Sequence, residues 1–142
     1  MRLDDITPDD PRLSGDVLPV LRELRPHLTA DSLRTIYADG HPQGLRFLAA
    51  FDATACVGVA GWRIVHNTSA GRKLYVDDLV TDPGRRSSGV GRALLAELEA
   101  RARTAGCSCI DLDSGVQRAD AHRFYFRERM DIAGFHFRKA IG

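Results

Sequence analysis

One uninterrupted stretch, Leu74 to Gly106, restricts the fold more than any other part of the chain. Leu74 to Thr81 is dense in β-branched and large apolar residues and reads as a strand. Asp82-Pro83-Gly84 stops it, because proline has no amide to donate and glycine accepts the turn. A helix follows from about Gly89. Val90, Leu94 and Leu98 recur at i, i+4, i+8, Leu95 and Ala102 widen the same face, and Gly106 is placed to cap the end. Cys109 to Asp113 then reads as a second strand. A strand, a helix and a strand in succession give a right-handed crossover between parallel strands. The sequence therefore predicts an α/β (α+β) domain.

The connection between this strand and its helix carries the chemistry. Arg85, Arg86, Ser87 and Ser88 lead into Gly89, Val90, Gly91 and Arg92 at the first helical turn. The first amides of a helix have no partner within it, and the helix dipole adds partial positive charge there. The two glycines let a ligand approach the backbone, and arginine forks suit phosphate oxygens. The pattern predicts a diphosphate seat. A dinucleotide fingerprint fits less well. Its third glycine position is Leu94, the connection is longer than the required tight turn, and too little chain follows for a doubly wound sheet.

Other elements follow by periodicity. Met1 to Ile6 reads as a strand. Val17, Leu18, Leu21 and Leu24 recur at helical spacing despite Pro19, and Pro26 ends that helix. Thr29-Ala30-Asp31 caps a second helix that buries Leu33, Ile36 and Tyr37. Leu45 to Phe51 and Cys56 to Val65 are strands around a turn at Asp52-Ala53-Thr54, and Trp62 and Arg63 stand where side chains reach a ligand or the core. Arg118 to Arg129 is a helix, and Ile132 to Ala140 a last strand.

Asp77 and Asp78 stand out. Two carboxylates inside a strand are costly unless paired or needed. Regular alternation sends them to opposite faces, one of them toward a cleft. Asp111 and Asp113 add two more carboxylates on the strand that follows the helix.

The whole chain sets bounds. At 142 residues it is expected to be a single domain, residues 1–142. Twenty basic against nineteen acidic residues leave a net charge of +1, which argues against a nucleic-acid binder. No apolar run approaches a membrane span and no signal peptide opens the chain, so no membrane partner and a cytoplasmic location are expected. Cys56, Cys107 and Cys109 lack metal-ligand spacing and read as free, packing thiols; no metal site is expected.

Arg86-Ser87-Ser88-Gly89-Val90-Gly91, directly after such a strand, resembles the acyl-CoA signature of the GNAT superfamily of N-acyltransferases. Asp120-Ala121-His122-Arg123-Phe124-Tyr125 resembles that family's second block, about thirty residues on. The resemblance implies a mixed, mostly antiparallel sheet of about six strands, helices on both faces, and a splayed pair of parallel central strands. It implies acetyl-CoA as cosubstrate and direct transfer of the acetyl group to a primary amine of a small molecule or peptide. Asp77 then takes the place of the general base and Tyr125 that of the proton donor to the leaving thiolate. Backbone groups of Leu79, Val80 and Thr81, freed by a bulge, bind the pantetheine arm. Arg25, His27, Tyr37, Asp78 and Asp113 border the acceptor. Two positions depart from the pattern: Arg118 stands where the family often has asparagine, and Arg129 where its helix usually ends on glycine. A strained cap or a longer helix is the choice at Arg129. A homodimer is compatible with the single strand left for the sheet edge. The competing reading is a non-catalytic acyl-CoA-sensing module, which needs the loop but neither Asp77 nor Tyr125.

Overall fold

The structure, a computed structural model, describes residues 1–85 and 88–142. The chain divides into two compact units, Met1–Asp111 and Leu112–Gly142. In the first, strands β1 (Arg2–Ile6), β2 (Arg46–Asp52), β3 (Ala55–Asn67) and β4 (Gly71–Thr81) pair antiparallel in chain order. A short β5 (Cys109–Leu112) runs parallel to β4 and ends the sheet.

Two helices, α1 (Leu18–Leu24) and α2 (Ala30–Gly40), cover one face. Pro19 does not break α1, because it falls in the first turn, where an amide has no partner. A π-helical turn over Leu13–Val17 precedes it. Thr29 caps α2 reciprocally: its hydroxyl accepts from the Ser32 amide at 3.0 Å, and the Ser32 hydroxyl accepts from the Thr29 amide at 2.9 Å. The core of this face joins Leu13, Leu21, Leu33 and Tyr37 to Phe47, Phe51 and Val59. Ile36, expected on the buried side of α2, is instead 46% exposed; Leu33 and Tyr37 fill the sheet-facing stripe without it.

Helix α3 (Val90–Thr104) packs on the opposite face and buries Val90, Leu94, Leu95, Leu98 and Ala102, as its spacing requires. Its start lies close to β3. A Cβ on Gly58 would stand 2.5 Å from Val90 Cγ1, so only glycine admits that approach. Gly106, at φ +73°, follows the helix end, where the Cys107 amide donates to the Ala102 carbonyl at 2.9 Å.

In the second unit, α4 (Ala119–Arg127) ends on the strained cap, which is left-handed: Arg129 has φ +65°, and the Met130 amide donates to the Tyr125 carbonyl at 3.0 Å. The expected strand over Ile132–Ala140 is not formed, and the sheet has five strands rather than about six. A strand exists only as one side of a ladder. The segment has no such partner among the described residues, and Phe135 and Phe137 stand 86% and 92% exposed. Among the described residues no helix is long and apolar enough to cross a membrane.

Candidate active site

The loop after β4 is shaped by backbone. The Asp82 amide donates to the Val57 carbonyl at 2.9 Å, and a 3-10 turn spans Pro83–Arg85. Gly89 is the N-cap of α3 with φ +84°, a left-handed conformation that costs a side-chain-bearing residue about 1–2 kcal/mol. Among the described residues no side chain caps the helix there, and beyond its chain neighbours none lies within 4 Å of where a Cβ on Gly89 would be. A helix start of this kind turns backbone amides outward, with no side chain of the described residues capping them. Arg85 is engaged sideways, donating to Asp52 at the β2–β3 turn. Arg86 and Ser87, expected in the same seat, lie outside the described residues.

The register of β4 on β3 shifts once. Val76 pairs with Trp62 and Asp78 with Gly61, so Asp77 is the extra residue of a bulge. The bulge was expected to free backbone at Leu79, Val80 and Thr81. Those three instead pair regularly with Ala60, Val59 and Gly58, and the irregularity lies before them. Their other edge is a different matter. The Ser108 amide donates to the Arg72 carbonyl at 2.8 Å, and Lys73 Nζ donates to Asp111 at 2.9 Å. The four residues of β5 therefore accompany the first half of β4 and end short of Leu79.

The bulge also overturns the expectation that Asp77 and Asp78 face opposite ways. Asp78 lies opposite Gly61, on the face of Phe47 and the α1–α2 connection. Arg25, at the end of α1, donates through Nε to Asp78 Oδ1 at 3.1 Å and through Nη2 to the Asp77 carbonyl at 3.3 Å. Arg63 is one residue beyond Trp62, whose ring lies under Arg101 of α3 on the opposite face; alternation turns Arg63 to the Asp78 side. Arg63 binds Asp77 with both fork nitrogens, at 2.9 and 2.8 Å. Two adjacent carboxylates thus share one face and face two arginines.

Their environments differ. Burial pushes the Asp78 carboxyl above its usual value, a trend Arg25 opposes and the neighbouring Asp77 charge reinforces. Asp77 accepts on both oxygens from Arg63. Further along the same strand Tyr75 is flanked by Arg63 and Lys73, at 5.4 and 5.7 Å from its ring centre.

Tyr37 does not join this group. It is 1% exposed, its hydroxyl donates to the Ile6 carbonyl, and its ring packs edge-on to Phe47. It takes the buried place that the apolar stripe of α2 gives it. His27 lies exposed in the α1–α2 connection. A cavity of about 300 Å³ opens elsewhere, at Asp5, Tyr37, His41, Trp62 and Arg101, and touches neither Asp77 nor Asp78. Cys56 is held as a thiol, its pKa pushed up to about 11 by burial.

In the second unit, burial raises the Tyr125 hydroxyl above its usual value, opposed by Arg118, and Phe124 packs edge-on to the ring at 5.5 Å. Tyr125 therefore keeps its proton at neutral pH. Asp113 lies 3.6 Å from His136 Nδ1. Sequence reasoning gave Arg63 no partner; its bidentate hold on Asp77 had no local signal, since the two are fourteen residues apart.

The family model for the acetyltransferase (GNAT) family matches residues 12–130. The chain belongs to that family. It is 34% identical over 125 residues to the uncharacterised N-acetyltransferase YhdJ of Bacillus subtilis (strain 168), covering 87% of this chain and 88% of that one. A shorter match, 41% identical over 66 residues and 46% of this chain, spans 43% of the aminoalkylphosphonate N-acetyltransferase of Salmonella typhimurium. Among solved structures, an aminoglycoside N-acetyltransferase in complex with CoA superposes with a TM-score of 0.81 at 16% identity, over 99% of this chain and 95% of that one. This GNAT chain is accordingly an acyltransferase.

Proposed function

We propose that the enzyme moves an acetyl group from acetyl-CoA directly to a primary amine of a small molecule or peptide. The observation that carries this reading is the start of α3, on the carboxylate-bearing strand's own exit loop, where no side chain among the described residues caps the helix and Gly89 adds no Cβ beside its first turn. A diphosphate there would meet backbone amides at the start of α3, with Arg85 and Ser88 at its rim. The edge of β4 beyond β5, at Leu79, Val80 and Thr81, would receive the pantetheine amides as an added strand.

The chemistry needs a neutral amine. An alkylammonium has a pKa near that of lysine, about 10.4, so a base must take a proton before or during attack. Of the two acids, Asp78 suits the task better than Asp77, because its carboxyl is desolvated and raised while Asp77 is bound on both oxygens. The amine nitrogen attacks the thioester carbonyl carbon, the C–S bond breaks, and the CoA sulfur takes a proton. Tyr125, which holds its proton at neutral pH, is the donor in this reading. Asp77 then positions Arg63.

The relatives' names mark two directions for the acceptor, since one is named for aminoalkylphosphonates and another for aminoglycosides. Calorimetry of acetyl-CoA with the wild type and with Gly89→Trp tests the donor site, circular dichroism confirming that the variant folds. Binding by the wild type and its loss in the folded variant is the expected result. No binding by the wild type would refute the reading.

A further inference from the structure

We infer that the acceptor carries an anionic group beside its amine, and that Arg25 reads that group. The inference rests on the amine-acetylation reading above.

Acidic residues along β4 and β5 suggest a pocket for polycations only if they stand open. They do not. Asp78 is matched by Arg25, Asp77 by Arg63 and Asp111 by Lys73. The wall is charge-balanced, and its outer layer is cationic: the side chains of Arg25 and Arg63 are 45% and 36% exposed, those of Asp78 and Asp77 only 16% and 24%. An approaching molecule meets guanidinium before carboxylate. Nη1 of both arginines has no partner among the described residues, so each keeps donors for an oxyanion. A planar fork matches a carboxylate or a phosphonate, and a polyamine gains nothing from it.

The two Arg25 bonds give the anion a second effect. They are 3.1 and 3.3 Å long and held by a half-exposed side chain, and so are easily exchanged for a bidentate partner. An acceptor anion that draws the guanidinium away uncovers the Asp78 carboxylate. It also removes the charge that holds the Asp78 proton affinity down, which makes the carboxylate a stronger base for the amine on the same molecule. Binding of the correct acceptor and release of the base then become one event. Arg63 is fixed by two bonds to Asp77 and serves as the standing cation beside it.

The test compares four amines with the full-length enzyme, following CoA thiol release: 2-aminoethylphosphonate, β-alanine, propylamine and kanamycin. The phosphonate and carboxylate arms separate the two oxyanions. At least one should exceed propylamine and kanamycin by tenfold or more in kcat/KM, a difference of roughly 1.4 kcal/mol. Arg25→Gln should shrink that ratio, chiefly through KM for the anionic amine, and Arg25→Lys should restore part of it. Faster turnover of propylamine or kanamycin overturns the inference. So does an unchanged ratio in Arg25→Gln, and so does acetyl-CoA binding with no turnover of either anionic amine. Absence of acetyl-CoA binding by calorimetry is the separate failure of the acetyl-transfer reading and takes this inference with it.

Discussion

Gly58→Ala should destabilise the protein and, on the acetyl-transfer reading proposed above, weaken acetyl-CoA binding, although the residue lies on β3 and in no loop. The added methyl would stand 2.5 Å from Val90 Cγ1, 3.0 Å from Leu94 Cδ1 and 3.4 Å from the Val80 carbonyl oxygen. Carbon atoms prefer about 3.5–4.0 Å, so the first contact is short by at least about 1 Å. Val90 cannot turn aside cheaply, because a β-branched side chain in a helix keeps one favoured rotamer. The start of α3 must move instead. Overpacking of this kind costs about 1–3 kcal/mol, set against about 0.4–1 kcal/mol gained by restricting the unfolded chain. A net loss of about 1–2 kcal/mol is expected, or roughly 4–8 °C in Tm at about 4 °C per kcal/mol. Urea unfolding measures the loss, and calorimetry measures the accompanying fall in acetyl-CoA affinity. Val90→Ala makes room for the methyl that Gly58→Ala adds. The double variant should therefore be at least about 1 kcal/mol more stable than the sum of the single losses. Wild-type stability in Gly58→Ala, or strict additivity in the pair, would refute the packing argument.

Two further expectations concern single side chains. Tyr37→Phe removes the buried hydroxyl bond to the Ile6 carbonyl and should cost about 1 kcal/mol in urea unfolding while leaving the acceptor KM unchanged; a selective change in KM would return Tyr37 to the acceptor wall. For Asp78 the sign is worked from a carboxyl raised in the folded state. Its ionised form costs stability at neutral pH, and that cost fades as pH falls through the folded pKa toward the unfolded value near 3.8. Asp78→Asn should thus melt no lower than the wild type at pH 7, with any advantage vanishing in acid, and should lose most of its turnover. A markedly lower Tm at pH 7 would show the Arg25 pair to be worth more than the burial it accompanies.

Local signals in the sequence carried most of the architecture. The cap at Thr29, the apolar stripe of α3, the glycine after its end and the strand–helix–strand crossover each depend on residues a few positions apart, and each stands where expected. What escaped depends on partners far along the chain. Alternation assigned Asp77 and Asp78 to opposite faces because a bulge is a mismatch between two strands, invisible in either one alone. The helical stripe places Tyr37 on the buried side of α2, but not its hydroxyl's partner, the Ile6 carbonyl, which lies thirty-one residues away. The segment Ile132–Ala140 has strand composition, yet composition supplies no neighbour for a ladder. At the candidate site the residue types were legible, and their pairings were not.

The bulge has a consequence for insertion and deletion. On either side of Asp77 the ladder keeps step, Val76 with Trp62 and Asp78 with Gly61. Removing Asp77 would close the gap and leave every later residue of β4 on its present face, with the exit into the loop and α3 unaltered. An added or lost residue in the strand outside Asp77 and Asp78 would turn the remainder over. The Asp77–Asp78 pair, either member of which can be lost with the same result, is thus where chain length and side-chain orientation in β4 are uncoupled. A lineage can gain or shed a carboxylate there without rewriting the sheet.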